Sequence, residues 1–267
     1  MRQIGTPCPR HSGRRRLYVG SVVSLLAIVV AVTGLLTRNH STSDSVDRVV
    51  PAPVPSAPRP GADRAVPPPS SGREVDDAVA AIARTPRYPA APAATRITGI
   101  TARQPDLYAA EFVRRLLTRD YTRPREEQLR WVQAESATTT EPLVIGLVPD
   151  HLRDRFAIWS VTGATDGPAP VPPPPEWARL GAVRAVDTAT VERVQEPTAW
   201  IGAVQAGRIT DPGITARQVS ATVTRRTGAT TQTFSVSASL NLEGPPVRPT
   251  WGVVAVITYT AIPVSTS

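Results

Sequence analysis

Lysine is missing from this sequence: all thirty basic side chains are arginine. The chain therefore supplies neither a phosphate-loop lysine nor a Schiff-base amine. Cysteine occurs once, as Cys8, which excludes an intramolecular disulfide and a cysteine-based metal site. Cys8 also precedes the hydrophobic run described below, so it is not placed as a lipoprotein cysteine. Histidine occurs three times, and only His151 lies in a region with the pattern of a folded core. A lone histidine without cysteines falls far short of a zinc site. Glycine-rich phosphate loops, dinucleotide-binding turns and the G-x-S-x-G elbow of hydrolases are absent as well.

What the chain has in excess is positive charge, with a net of +8 and a pI near 10.8. Its distribution weakens the obvious reading of nucleic-acid binding. Arg2, Arg10, Arg14, Arg15 and Arg16 come before any acid, which leaves 25 arginines against 22 acids in the remainder. The high pI is largely a property of the tail and of the high pKa of arginine. All-arginine, alanine- and proline-rich usage also fits coding from a GC-rich genome.

Residues 17–37 read LYVGSVVSLLAIVVAVTGLLT, twenty-one residues without a charge. A helix of that length spans roughly 30 Å, the thickness of a bilayer hydrocarbon core. A secretory signal peptide also begins with arginines, but its apolar region is usually about 7–15 residues and ends in a small-x-small site. This run is longer and ends without a convincing site. The expectation is an uncleaved single transmembrane helix after a cytoplasmic tail of residues 1–16. The arginine cluster orients it with the C-terminus outside the cytoplasm.

Residues 38–104 read as a linker. Proline dominates PAPVPSAPRP and VPPPS, and large apolar residues are scarce, a composition that favours extended polyproline geometry. One patch departs from it. Ser71 and Glu74 form an S-x-x-E capping box, followed at helical spacing by Val75, Ala78, Val79 and Ile82, which predicts a short helix near 74–84.

Residues 105–267 carry the pattern of an extracytoplasmic α+β domain. Asp106 is placed to cap a helix whose face holds Tyr108, Ala109, Phe112, Val113, Leu116 and Leu117. Pro124 suits the start of a second helix with Leu129 and Val132 inward and Trp131 flanking. Residues 143–148 form a short apolar run. Ala157-Ile158-Trp159-Ser160-Val161 reads as strand, and the four prolines at 172–175 read as a rigid surface loop or a docking strip. Val183, Val186, Val191 and Val194 mark one strand, and Trp200, Ile201 and Val204 another. Val219, Ala221 and Val223 alternate with Ser220, Thr222 and Thr224. After a turn at Thr227-Gly228-Ala229, Phe234, Val236, Ala238 and Leu240 alternate with serines, which predicts an antiparallel hairpin with one buried face. Residues 251–259 form a closing strand. Helices first and strands after them predict N-terminal helices packed on a curved antiparallel sheet.

Candidates for chemistry are few. Asp150 or Asp154 could orient His151 as a general base, a spacing that fits a solvated helix end equally well. Asp120, Glu135 and Glu141 show no sign of burial together. Arg114, Arg115, Arg119, Arg123, Arg125 and Arg130 alternate with acids, as on a solvated face. Nothing here nominates a catalytic, cofactor-binding or metal-binding residue, and direct nucleic-acid binding is not expected.

The layout resembles the bitopic inner-membrane scaffold proteins of conjugation machines, the TcpC-like and related type IV secretion components. The residues that carry the resemblance are Phe112, Leu116, Leu117, Asp120, Tyr121 and Leu129, with residues 251–259 as closing strand. It implies a cone-like domain of the nuclear-transport-factor type and a non-catalytic, oligomeric scaffold among other membrane components of a transport machine. TcpC-like proteins commonly carry two such domains, and this chain has room for one. The proline run at 172–175 matches no part of that pattern. Leu116-Leu117-Thr118-Arg119-Asp120-Tyr121 is equally similar to mammalian-cell-entry (Mce)-associated membrane proteins of lipid-import systems. Some proteins of the same fold are isomerases or hydratases, or hold a ligand in the sheet.

The anchor is open to a direct test. Reporter fusions and the mass of the mature protein are expected to place the C-terminus outside and to retain residues 17–37. A soluble product beginning near Arg38, or a cytoplasmic C-terminus, contradicts the reading.

Overall fold

The computed structural model describes residues 72–137, 148–163 and 168–264. The tail, the 17–37 run, the linker up to Ser71 and the 143–147 run lie outside them. Among the described residues no helix is long and apolar enough to cross a membrane.

The described chain is α+β. Its helices are α1 (Gly72–Arg84), α2 (Pro105–Leu117), α3 (Arg125–Glu135), α4 (Arg153–Thr162), α5 (Pro174–Ala182) and α6 (Thr198–Gln205). Its strands are β1 (Arg119–Asp120), β2 (Val186–Gln195), β3 (Ile214–Thr227), β4 (Thr230–Glu243) and β5 (Gly252–Val264). The strands pair antiparallel in chain order as one five-stranded sheet. Helices pack against this sheet, which curves into a half-barrel. Register shifts at Val191/Arg193 on β2, and at Ser239/Leu240 and Asn241/Leu242 between β4 and β5, supply bulges that increase local twist.

The α2 helix forms as its spacing predicts. Tyr108, Ala109, Phe112, Val113, Leu116 and Leu117 are all buried. Gln104 rather than Asp106 stands at its N-cap, with Pro105 in the first turn. Asp106 instead accepts from the buried Arg217 of β3 at 2.5 Å, so the helix start is tied to the sheet. The β3–β4 hairpin also forms where alternation places it. Val219, Ala221, Val223, Val236, Ala238 and Leu240 enter the core, and Thr227 pairs with Thr230. Gly228 takes φ +59 and Ala229 does not, the sign pattern of a type II′ turn with glycine first.

Four short segments differ from their sequence reading. Ala157 to Val161 is helical in α4, with Ala157, Ile158 and Val161 on its buried face. A five-residue apolar run does not separate strand from helix by periodicity, and here the helix continues until Gly163. Trp200, Ile201 and Val204 also lie on a helix, α6, which follows Pro197. The proline run is not a plain loop. Pro174 and Pro175 open α5, where a missing N–H costs nothing because first-turn donors have no helical partner. Val183 ends α5 and stands outside the strand.

The packed body extends N-terminally of Pro105. Ile97 and Ala102 belong to the main core, and the Ile97 N–H donates to the Glu135 carboxylate at 2.7 Å. The short helix appears as α1. Its Ile82 packs with Ala137, Val148, Leu152 and Val254 in a second cluster, and Arg155 of α4 donates to the Ala83 and Thr85 carbonyls at the helix end.

Phe112 lies between the rings of Tyr108 and Trp131, at 6.2 and 5.2 Å, and is fully buried. Phe112→Ala is expected to cost about 3–5 kcal/mol, read as a lowered denaturation midpoint. An unchanged midpoint would show that α2 does not hold the core together.

Candidate functional site

Between the sheet and the segment that leads into α5 lies a cavity of about 550 Å³. Val223, Phe234, Val236 and Ala261 line it from the sheet, with Leu117 of α2 and prolines of the 168–173 segment opposite. Its polar wall comes from Arg119, Asp187, Arg225, Tyr259, Thr162 and Glu176.

Three of these residues form one row. Arg119 on β1 is the register partner of Asp187 on β2, and Asp187 is the partner of Arg225 on β3. Directly opposed residues share a sheet face. Arg225 follows Val223 by two positions and Asp187 precedes Ala189 by two, so charges of alternating sign project from the face that carries the core. Asp187 is 2 % exposed and Arg119 is 5 % exposed.

Asp187 accepts three hydrogen bonds. Arg225 donates Nε to Oδ1 at 2.7 Å and Nη2 to Oδ2 at 2.8 Å, a bidentate fork. The Tyr121 hydroxyl donates to Oδ2 at 2.6 Å. The guanidinium of Arg225 also lies 5.4 Å from the Tyr121 ring centre and 5.2 Å from that of Phe234, within cation–π range of both. The Asp187 bond and charge hold the Arg225 guanidinium more firmly protonated than usual. Arg119 is bonded differently. Its Nε donates to the Leu116 carbonyl at 2.7 Å, one terminal nitrogen reaches the Tyr121 hydroxyl at 3.4 Å, and the other donates to the Pro170 carbonyl.

Local chain geometry delivers these groups. The end of α5 is closed by Arg184 N–H to Gly181 O at 2.9 Å and Ala185 N–H to Leu180 O at 3.0 Å, with Arg184 at φ 50. This pair of bonds is the Schellman pattern, and it turns the chain sharply into β2. Tyr121 is fixed by its N–H to Ala185 O at 3.2 Å and by Trp177, edge-on at 4.8 Å. α5 passes so close that a Cβ on Gly181 would stand 2.6 Å from the Tyr121 carbonyl oxygen.

The residues weighed from sequence fall elsewhere. His151 is exposed on a short 3-10 turn, and its carbonyl accepts from Arg87 at 3.0 Å. Asp154 pairs with Arg87 and Asp150 with Arg153, so arginines occupy both acids proposed to orient the imidazole. Arg119 is a correction to the solvated arginine face: it is interior, because β1 turns it under the 168–173 segment. Glu135 is buried, whereas Asp120 is exposed. Glu135 is 1 % exposed and accepts from Ile97 N–H and from Tyr108 Oη at 3.0 Å, and burial raises its carboxyl pKa. Asp120 accepts from Thr122. Glu141 lies outside the described residues. The charged row itself was missed from sequence; the available signal was an arginine at the inward parity of the Val219-Ala221-Val223 series.

Among the described residues no group of His, Cys, Asp and Glu is arranged to hold a metal ion. Comparison with known proteins finds no matching family model, no matching curated protein and no matching solved structure.

The Tyr121 hydroxyl is pushed up to about 12, first by burial, with Arg119 opposing and Asp187 reinforcing. The unfolded phenol ionises near 10, so this contribution is fully present below pH 10 and is lost as pH rises toward 12. Burial raises Tyr108 and Tyr259 in the same direction. Stability is expected to fall by about 2–3 kcal/mol from Tyr121 alone across that window, and Tyr121→Phe should flatten the fall. Denaturation curves at pH 9 and pH 11.5 check this. An identical pH slope in the variant contradicts it.

Proposed function

We propose that this chain is a membrane-anchored scaffold whose outer domain holds other proteins of a transport assembly, of the TcpC-like, type IV secretion kind. The observation that carries the reading is α6. Its sequence, TAWIGAVQ, is almost wholly apolar, yet none of its residues is buried. Ile201 is 38 % exposed and Val204 46 %, beside a half-buried Trp200. α6 connects β2 to β3, so it stands at one end of the long hairpin. A cluster of large apolar side chains left at a surface marks a contact site. Anchored by residues 17–37 and carried on a proline-rich linker, such a helix would meet partners at a fixed reach from the bilayer.

The charged row supports a binding role over turnover. A general base needs a carboxylate free to take a proton. Asp187 is held as acceptor of a bidentate arginine and a tyrosine hydroxyl, and His151 stands apart from the cavity. A lipid-import accessory of the Mce-associated kind is the second reading, favoured by the apolar walls of the cavity. The contacts of a homo-oligomer would also run through exposed apolar surface of this type.

The test uses the full chain in its native membrane. Ile201→Asp with Val204→Asp is expected to abolish co-purification of membrane partners while leaving the melting temperature within a degree or so, since both sites are exposed. His151→Ala should leave co-purification intact. Retention of the same partners by the double aspartate variant would sink the scaffold reading at α6. Loss of function in His151→Ala would favour an enzyme.

A further inference from the structure

The cavity beside the charged row has the dimensions and lining of a small-molecule site, which are typically about 300–1,000 Å³ and mostly apolar with a few placed polar groups. Its charge is unbalanced at the inner end. Arg225 is neutralised by Asp187. Arg119 is buried, meets only neutral oxygens, and has no ion pair with a carboxylate among the described residues. A guanidinium has five N–H donors; these three bonds and one to the Tyr259 hydroxyl still leave donor capacity on a buried cation. The Tyr259 hydroxyl lies near the same group and is held protonated by burial. Glu176 is the other acid on the lining besides Asp187; its side chain is 45 % exposed and faces Arg179 at 3.9 Å. The apolar walls are Val223, Phe234, Val236 and Ala261, and Ala261 is only half-buried, at the mouth.

We infer that this cavity binds a small amphipathic carboxylate, with its carboxylate on Arg119 and Tyr259 and its hydrocarbon body along the sheet. A buried cation without a counter-ion is costly, and a ligand that brings the counter-ion removes that cost. A neutral ligand of the same shape would gain the apolar contacts and leave Arg119 as it was. The site would therefore discriminate by charge at one end and by length at the other. This assignment stands whether or not the chain belongs to a transport assembly, because it rests on the cavity and not on α6.

The experiment is a melting titration of the full chain in nanodiscs of neutral lipid, with octanoate and its uncharged isostere octanamide as probes. Octanoate is expected to raise the melting temperature saturably, with octanamide weaker by about tenfold or more, the scale of a charge-assisted hydrogen bond. Arg119→Met should abolish the preference for octanoate. Should that variant fail to fold, Arg119→Lys keeps the charge and should keep part of the preference. Ala261→Trp, which fills the mouth from a half-exposed position, should remove both responses and so separates cavity binding from partition into the bilayer. The inference is overturned if octanoate gives no saturable shift, if the shift survives Ala261→Trp, or if octanamide binds as tightly as octanoate.

Discussion

The structure depends on how a buried carboxylate is made tolerable inside a half-barrel. Asp187 points from β2 into a space lined by valines, alanines and aromatic rings, where an isolated charge would cost several kcal/mol. Arg225 neutralises it from the neighbouring strand, and the Tyr121 hydroxyl adds a third hydrogen bond from the turn after β1. These contacts join three separate stretches of chain. The turn after β1, the start of β2 and the far half of β3 are brought to one point, and the cavity is the space left beside them.

Other buried polar groups repeat the arrangement at smaller scale, each joining an element to one remote in sequence. Arg217 of β3 reaches Asp106 at the start of α2 and Glu196 beside α6. Glu135 at the end of α3 takes up the Ile97 N–H and the Tyr108 hydroxyl, which draws the segment before α2 onto the domain. Hydrophobic burial is non-directional and holds these layers together, whereas a fully bonded buried ion is satisfied in one geometry only. The two effects divide the work: the apolar faces supply attraction, and the ions set how helices and strands are placed on each other.

Legibility in the sequence follows the same division. α2 and the β3–β4 hairpin were readable because each has a long apolar face of one period, 3.6 in the helix and 2 in the strands. α4 and α6 were not, since Ala157 to Val161 and Trp200 to Val204 are too short for periodicity to choose between helix and strand. On β2 the valines misled: Val186 faces away from the core, and inward parity runs through Asp187, Ala189 and Val191 before the bulge. The candidate site was hidden for a further reason. Arg119, Asp187 and Arg225 are each ordinary charges in sequence, and only strand pairing sets them in a row. The outward Ser and Thr positions of β3 and β4 were correctly read as a polar face; Arg225 at the inward parity was the one sign that charge lay on the other side, and its partners Asp187 and Arg119 carried no such mark.

If the row organises the domain, its members must be coupled energetically and not merely adjacent. A double-mutant cycle on Asp187→Ala and Arg225→Ala, measured by denaturant unfolding, tests this most directly. Each single change should cost about 3–5 kcal/mol, because it leaves a buried partner uncompensated, and the pair should cost less than their sum by about 2–3 kcal/mol. Additivity within about 0.5 kcal/mol would contradict the account, since it would mean that the two side chains contribute independently and that the half-barrel closes without them.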